Sequence, residues 1–296
     1  LKSLYTSIAS ALATKTNAGA LAVTAVKSPL QFLANFLSYL EGAKADELKS
    51  LYTSIASTLA TEINAGALAA TAVKSPPSEL ATFLRYLERA KAKELKSLYT
   101  SIASALATKT NAGALAASAV KSPLNDLATF LRYLERAKAK ELKSLYTSIA
   151  SALATKTNAG ALAAAAVKSP VEHLTYFLEC LEGAQSKELS LLNETLIKTL
   201  CDVHHSAAIA STALQGPAEH ASRFLSFAVE RNWLNPITKA IADRCVAGSA
   251  HAEVISELSL TLQMEAEILT EFGDSSAGRA RQSQLSLLFG RFVEVP

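Results

Sequence analysis

Residues that break helices or cross-link small folds are scarce in this chain. Its 296 residues include 11 glycines, 8 prolines and 3 cysteines, and only 6% are aromatic. Cys180, Cys201 and Cys245 are too few and too scattered for a disulfide framework, which favours a reducing intracellular compartment. No unbroken apolar run reaches the roughly 18 residues that a membrane span needs, so we expect no span.

Alanine and leucine supply most of the apolar content instead. Half of the residues are hydrophobic, and alanine and leucine are among the strongest helix formers, which predicts an all-α fold. The charge is uneven along the chain. Residues 1–188 hold 21 Lys and Arg against 14 Asp and Glu, a net charge of +7, whereas residues 189–296 hold 8 against 12, a net charge of −4.

The sequence repeats every 47 residues. The string LKSLYTSIAS begins at Leu1, Leu48, Leu95 and Leu142, and a diverged copy begins at Leu189. This period predicts four near-identical repeats (1–47, 48–94, 95–141 and 142–188), a diverged fifth repeat (189–235), a helical C-terminal cap (236–272), and a linker with an apolar tail (273–296). Because Leu1 lies inside a repeat, we expect the chain to be part of a longer protein.

Copy 3, residues 95–141, predicts three helices. Helix A covers about 15 residues with one apolar face: Leu95, Leu98, Ile102 and Leu106. Asn111 is expected to cap a short helix B, from Ala112 to about Val120. Ser122 is the expected cap of helix C, which starts at Pro123 and reaches about Lys138 with an apolar stripe of Leu124, Leu127, Leu131 and Leu134. We expect a break between helix C and the next helix A.

A unit with one short and two longer helices resembles an armadillo repeat, and 47 residues fits the armadillo and HEAT range. The resemblance is architectural and covers residues 1–235. It implies a right-handed α-solenoid with a concave inner surface. The set of repeats also resembles the long helical-repeat effectors of plant- and animal-associated bacteria, which implies secretion into the interior of a host cell.

The differences between copies concentrate at the start of helix C. Copies 2 and 3 differ at only 7 of 47 positions, and three of these are consecutive there. We call the varying positions in copies 1 to 4 the variable set: Gln31, Phe32, Asn35, Ser78, Glu79, Thr82, Asn125, Asp126, Thr129, Glu172, His173 and Tyr176. Two interpretations stand at this point: a surface that tunes partner binding, or drift at an exposed helix start.

A second set of positions is basic. The basic set recurs at helix ends along the repeats: Lys74, Arg85, Arg89, Lys121, Arg132, Arg136 and Lys168. In a stack of repeats such residues form a stripe that could follow a phosphate backbone. The alternative is a solvated face that keeps an Ala- and Leu-rich rod in solution.

Catalytic and metal-binding patterns are weak in this sequence. Cys201, His204 and His205 have helical spacing, but Cys201 takes the place of core alanines and His205 that of the recurring asparagines. We therefore expect no metal, no cofactor and no enzymatic activity. The sequence favours a non-catalytic scaffold that binds a protein or peptide. The alternatives are a modular nucleic-acid reader and an architectural rod.

A single excised copy, residues 95–141, is expected to be largely unfolded. Ordering a residue costs roughly 1–2 kcal/mol of backbone entropy, and one copy alone cannot bury its apolar stripes deeply enough to offset that cost. Circular dichroism should show a cooperative melt for residues 1–188 and none for the single copy. A single copy that melts cooperatively as a monomer would contradict the stacked arrangement.

Overall fold

The computed structural model describes residues 7–8, 10–231, 237 and 240, and within them the chain is helical with no strand. The predicted cap (236–272) and the linker and tail (273–296) therefore lie almost wholly outside the described residues. Among the described residues, no helix is long and apolar enough to cross a bilayer.

In the part of the chain that the structure describes, fourteen helices have defined bounds. In the first copy these are α1 (Lys15–Val26) and α2 (Leu30–Glu41), and in the second α3 (Asp46–Leu59), α4 (Glu62–Lys74) and α5 (Pro77–Arg89). The third copy holds α6 (Lys93–Leu106), α7 (Lys109–Ala119) and α8 (Leu124–Arg136). The fourth holds α9 (Lys140–Leu153), α10 (Lys156–Lys168) and α11 (Val171–Glu182), and the fifth α12 (Lys187–Leu200), α13 (Val203–Gln215) and α14 (Ala218–Arg231).

Equivalent helices begin at the sequence period. The A helices α3, α6, α9 and α12 begin at residues 46, 93, 140 and 187, each 47 residues after the one before. The B and C helices follow the same offset, and the diverged fifth copy keeps it. The all-α prediction is confirmed for the described residues, and their helices have the order expected of a helical repeat.

The predicted apolar stripes are buried. Leu95, Leu98, Ile102 and Leu106 of α6 are all completely buried, as are Leu124, Leu127 and Leu134 of α8. One aromatic position of helix C is buried in copies 2 to 5, at Phe83, Phe130, Phe177 and Phe224. The same heptad-like placement of large residues therefore builds the core in every copy.

The described helices form two compact units, and neighbouring copies pack together inside each unit. Of the described residues, the first unit comprises those up to 122 together with 126–154, and the second comprises 123–125 and those from 155 onward. In the first unit, α1, α4 and α7 (the B helices) pack on α3, α6 and α9 (the A helices of the following copies). The C helices α2 and α5 pack on each other. In the second unit, α10 packs on α12, and α11 on α14.

The corner between helices A and B differs from the prediction. Thr108, not Asn111, caps α7, because its hydroxyl oxygen accepts the Asn111 N–H at 3.4 Å. Asn111 instead donates from Nδ2 to the Ala105 carbonyl at 2.7 Å, which satisfies an orphan acceptor at the end of helix A. Helix B is thus 11 residues long in copy 3 and 13 in copies 2 and 4. The prediction of one short helix was wrong, and Gly113 lies inside α7.

The corner between helices B and C also differs from the prediction. The proline itself is the N-cap residue, and no side chain caps the first turn of α2, α5 or α11. The serine before each proline donates its hydroxyl back to the end of helix B. These bonds are Ser28 to Thr24 O, Ser75 to Thr71 O, Ser122 to Ser118 O and Ser169 to Ala165 O, at 2.9–3.3 Å.

The predicted break between helix C and the next helix A is confirmed. After α5, Ala90 and Ala92 adopt extended backbone, with ψ of 140° and 129°. The Lys91 N–H in this break donates to Glu41 Oε1 at 2.7 Å, a contact from the preceding copy. The break therefore depends on a neighbour as well as on the local sequence.

Replacing Asn111 by alanine should destabilise the protein by about 1 kcal/mol, because the Ala105 carbonyl loses its half-buried donor. Replacing the adjacent Thr110, an exposed residue of the same helix, is the matched control and should change stability by only a few tenths of a kcal/mol. Urea unfolding would measure both variants. An equal loss of stability in the Asn111 and Thr110 variants would contradict the role assigned to Asn111.

Candidate partner-binding groove

The variable set lies at the start of the C helices but is only partly exposed. Gln31, Phe32, Asn35, Thr82 and Glu172 are exposed, and the side chain of Phe32 is 67% exposed. The other members are half-buried: Ser78, Glu79, Asn125, Asp126, Thr129, His173 and Tyr176. The oxygen of the Asn125 side chain is buried and has no hydrogen-bond partner in the described part of the chain. The predicted surface is thus less open than its position in the sequence indicated.

In the second unit, positions of this kind contact the neighbouring copy. His220 Nδ1 lies 3.1 Å from Glu172 Oε2, and Arg223 lies 3.8 Å from Glu179 Oε1. His220 and Arg223 are the fifth-copy counterparts of His173 and Tyr176, and Glu172 is itself in the variable set. Contact between copies is a third role for these positions, which sequence reasoning missed.

A groove with a volume of about 430 Å³ opens at the corner between helices B and C of the first two copies. It brings together Lys74 from the basic set and Glu79 from the variable set, with Lys27 from the preceding copy. Its remaining lining is Ser28, Pro29, Ala70, Thr71, Ser75 and Pro76. The two predicted sets therefore share one surface here.

A cross-copy hydrogen bond positions the two walls of the groove. Thr71 Oγ1, on α4, donates to the carbonyl of Val26 on α1, at 3.3 Å. The second unit repeats this contact, because Thr212 Oγ1 donates to the Val167 carbonyl at 3.2 Å. Thr71 and Thr212 occupy equivalent positions three copies apart. The same anchoring of adjacent B helices thus occurs once in each unit, at Thr71 and at Thr212.

The hydroxyl groups that line the groove already donate hydrogen bonds to backbone carbonyls of the protein. Ser28 donates to Thr24 O at 3.3 Å, Ser75 donates to Thr71 O at 3.0 Å, and Thr71 donates to backbone carbonyls. The prolines have no N–H to offer. Among the side chains that line this groove, free N–H donors remain on Lys27 and Lys74, both exposed and neither in an ion pair with a described residue.

The basic set divides into two groups by exposure. Lys74, Lys121, Lys168, Arg89 and Arg136 are exposed, whereas Arg85 and Arg132 are half-buried. The Arg85 guanidinium lies 5.7 Å from the ring centre of Tyr133 in the next copy, which is cation–π geometry. Arg85 therefore serves packing between copies, and the lysines before each Ser-Pro are the more accessible cations.

Tyrosine pairs link helices A and C beside these arginines. The hydroxyl oxygens of Tyr52 and Tyr86 are 3.5 Å apart, and Tyr99 and Tyr133 repeat the pair at 3.5 Å. Burial, followed by the hydrogen bond to Tyr99, raises the pKa of Tyr133 well above its usual value of 10. The recurrence of two tyrosines 34 residues apart in successive copies was the sequence signal for this contact.

The residues considered for a metal site have local partners. The carboxylate of Asp202 accepts the His204 N–H at 2.9 Å and so caps α13. Burial raises the pKa of the Cys201 thiol. Within the described residues, no cluster of three His, Cys, Asp or Glu side chains is placed to hold a metal ion.

The tyrosine pairs predict a pH dependence of stability. In the unfolded chain Tyr133 ionises near pH 10, whereas in the folded chain its raised pKa keeps it protonated. The unfolded state thus binds fewer protons as pH rises through that value, so the stabilisation is present below pH 10 and is lost above it. Urea unfolding from about pH 8 to about pH 11 should show a smaller loss of stability for Tyr133→Phe than for the unaltered protein.

The matched control for this measurement is Tyr39→Phe, because Tyr39 is the first-copy counterpart of Tyr133 and is 66% exposed. Its stability curve should follow that of the unaltered protein. The same reduced pH dependence in both variants would contradict the assigned environment of Tyr133.

Comparison with known proteins identifies no relative: no family model, no curated protein and no solved structure matches this chain. The groove is therefore interpreted from its own residues and geometry.

Proposed function

We propose that this protein is a non-catalytic scaffold that binds a protein or peptide partner along the corners between helices B and C. The observation that carries the proposal is the groove at the first two copies, where constant and varying residues line one open surface. Concave sites with a few convergent polar groups are the usual places where proteins bind ligands. The right-handed solenoid and its armadillo- or HEAT-like character belong to this proposal.

Recurrence of the corner supports a modular mode of binding. The Lys-Ser-Pro sequence occurs in copies 1 to 4, and the serine makes the same backbone hydrogen bond in each. The constant residues hold the corner in one conformation, and the variable residue three positions after each proline changes its chemistry. Glu79 has counterparts in Phe32, Asp126 and His173. Each copy thus presents the same frame with a different side chain.

A binding role fits the groove better than a catalytic role. The serine and threonine hydroxyls donate to carbonyls and not to a base, so none of them is activated as a nucleophile. Those hydroxyls contribute to the shape of the corner. The contacts available to a partner come from the lysines, Glu79 and the apolar faces of Pro29, Pro76 and Ala70.

Nucleic acid is the second candidate partner. Lys27, Lys74, Lys121 and Lys168 are exposed and recur every 47 residues in the sequence, and lysine side chains are among those that bind phosphates. However, the groove contains no aromatic side chain on which a base could stack. An architectural rod is the third candidate, and it needs no ligand at these corners.

Selection from a displayed random-peptide library against the full chain tests the proposal. We expect enriched peptides that bind saturably. The double variant Ser78→Asn with Glu79→Asp should shift which peptides are enriched, because it gives copy 2 the two polar variable residues that copy 3 has at this corner. The matched control is Glu62→Lys with Ile63→Thr, which exchanges two other differing positions, at the exposed start of α4.

An unchanged profile for the corner variant, or an equal shift for the control, would contradict a role of the variable set in binding. No enriched peptide at all would reject the scaffold proposal. A mobility shift of random DNA or RNA at about 50 mM salt, where phosphate contacts are strong, would favour the nucleic-acid reader.

A further inference from the structure

We infer that the partner is an acidic, extended peptide segment, one of whose carboxylates binds between Lys27 and Lys74 in the groove. This inference rests on the proposed scaffold function and names the class of partner. Lys27 and Lys74 come from adjacent copies, and both line the same groove of about 430 Å³. That volume is within the range of protein sites for small ligands, and it accommodates an acidic side chain with the adjoining backbone.

The hydrogen-bonding groups of the groove select an anion. The hydroxyls of Ser28, Thr71 and Ser75 donate to backbone carbonyls, so they present only lone pairs to a ligand. The two ammonium groups are the side-chain N–H donors left free in this lining. A carboxylate accepts from both at once, and such charge-assisted hydrogen bonds are stronger than neutral ones.

The net charge of the groove lining also favours an anion. The charged lining consists of two lysines and one glutamate, which leaves a net positive charge. Pro29 and Pro76, which also line the groove, are the N-cap residues of helices α2 and α5, and no side chain caps either helix start. The partial positive charges of two helix N-termini therefore adjoin the lysines. The negative charge of Glu79, in the first turn of α5, offsets part of this positive potential, and the remainder favours an anionic ligand.

The neighbouring corners extend the same chemistry along the chain. Lys121 and Lys168 occupy the corresponding positions in copies 3 and 4 and are exposed. In the fifth copy, Gln215 stands where the lysine would be. The recognition of acidic residues is thus a property of copies 1 to 4. An extended peptide backbone, rather than a nucleotide chain, fits a lining that has hydrogen-bond acceptors and proline faces but no aromatic platform.

The test uses the full chain and three fluorescent peptides of equal length. The first alternates Glu with Ser, the second has Gln in place of every Glu, and the third is a scrambled neutral sequence. Fluorescence anisotropy should show saturable binding of the Glu peptide, at least tenfold weaker binding of the Gln peptide, and no binding of the scrambled one. Raising the salt concentration should weaken binding of the Glu peptide, because it screens the lysines.

The double variant Lys27→Glu with Lys74→Glu should weaken binding of the Glu peptide at least tenfold. Its matched control, Lys96→Glu with Lys143→Glu, makes the same change in net charge at exposed positions of two A helices and should lower affinity less than threefold. Circular dichroism melting would show that both variants fold.

Equal loss in both variants would overturn the inference, because it would mean that overall charge and not the groove attracts the peptide. Equal binding of the Glu and Gln peptides would overturn it as well, as would a random-sequence RNA that binds more tightly than the Glu peptide and is equally sensitive to Lys27→Glu with Lys74→Glu. Neutral peptides enriched from the displayed library would reject the acidic partner while leaving the scaffold function in place.

Discussion

Burial of apolar stripes between successive copies is the interaction on which the structure depends. The C helices α2 and α5 pack on each other, and so do α11 and α14, so a phenylalanine such as Phe83 or Phe177 is completely or almost completely buried. Because helix B of one copy packs on helix A of the next, the core is shared between copies and does not belong to any one of them. Every other feature, including the corners and the groove, is held in place by this stacking.

Stacking explains why near-identical sequences produce different environments. Tyr39 is two-thirds exposed, whereas Tyr133, its counterpart, is 6% exposed beneath Arg85 of the preceding copy. The variable set also contacts neighbouring copies, since Glu172 Oε2 lies 3.1 Å from Nδ1 of His220 in the following copy. Differences between copies therefore adjust contacts inside the chain as well as any surface offered to a partner.

The constant and the varying residues at the corners between helices B and C have different roles. The Lys-Ser-Pro sequence keeps the lysine exposed and directs the serine hydroxyl back to helix B, and the cross-copy bond from Thr71 to Val26 holds adjacent corners together. In the proposed binding mode, affinity for an anionic group would come from the constant lysines, and selectivity from the residue at the position of Glu79. Binding at more than one corner would raise the overall affinity through effective concentration, without any new kind of contact.

The sequence by itself determined the all-α class, the order of the helices, the buried stripes and the break after helix C, because periodicity and composition are local properties of the chain. It misplaced the helix caps, since Thr108 and Asn111 compete for the same corner and their hydrogen bonds depend on where helix A ends. Only the tertiary structure decided which variable residues face a neighbour and that Lys27 and Lys74 share one groove. Those two lysines are 47 residues apart, and their proximity follows from how one copy stacks on the next, which no local pattern encodes.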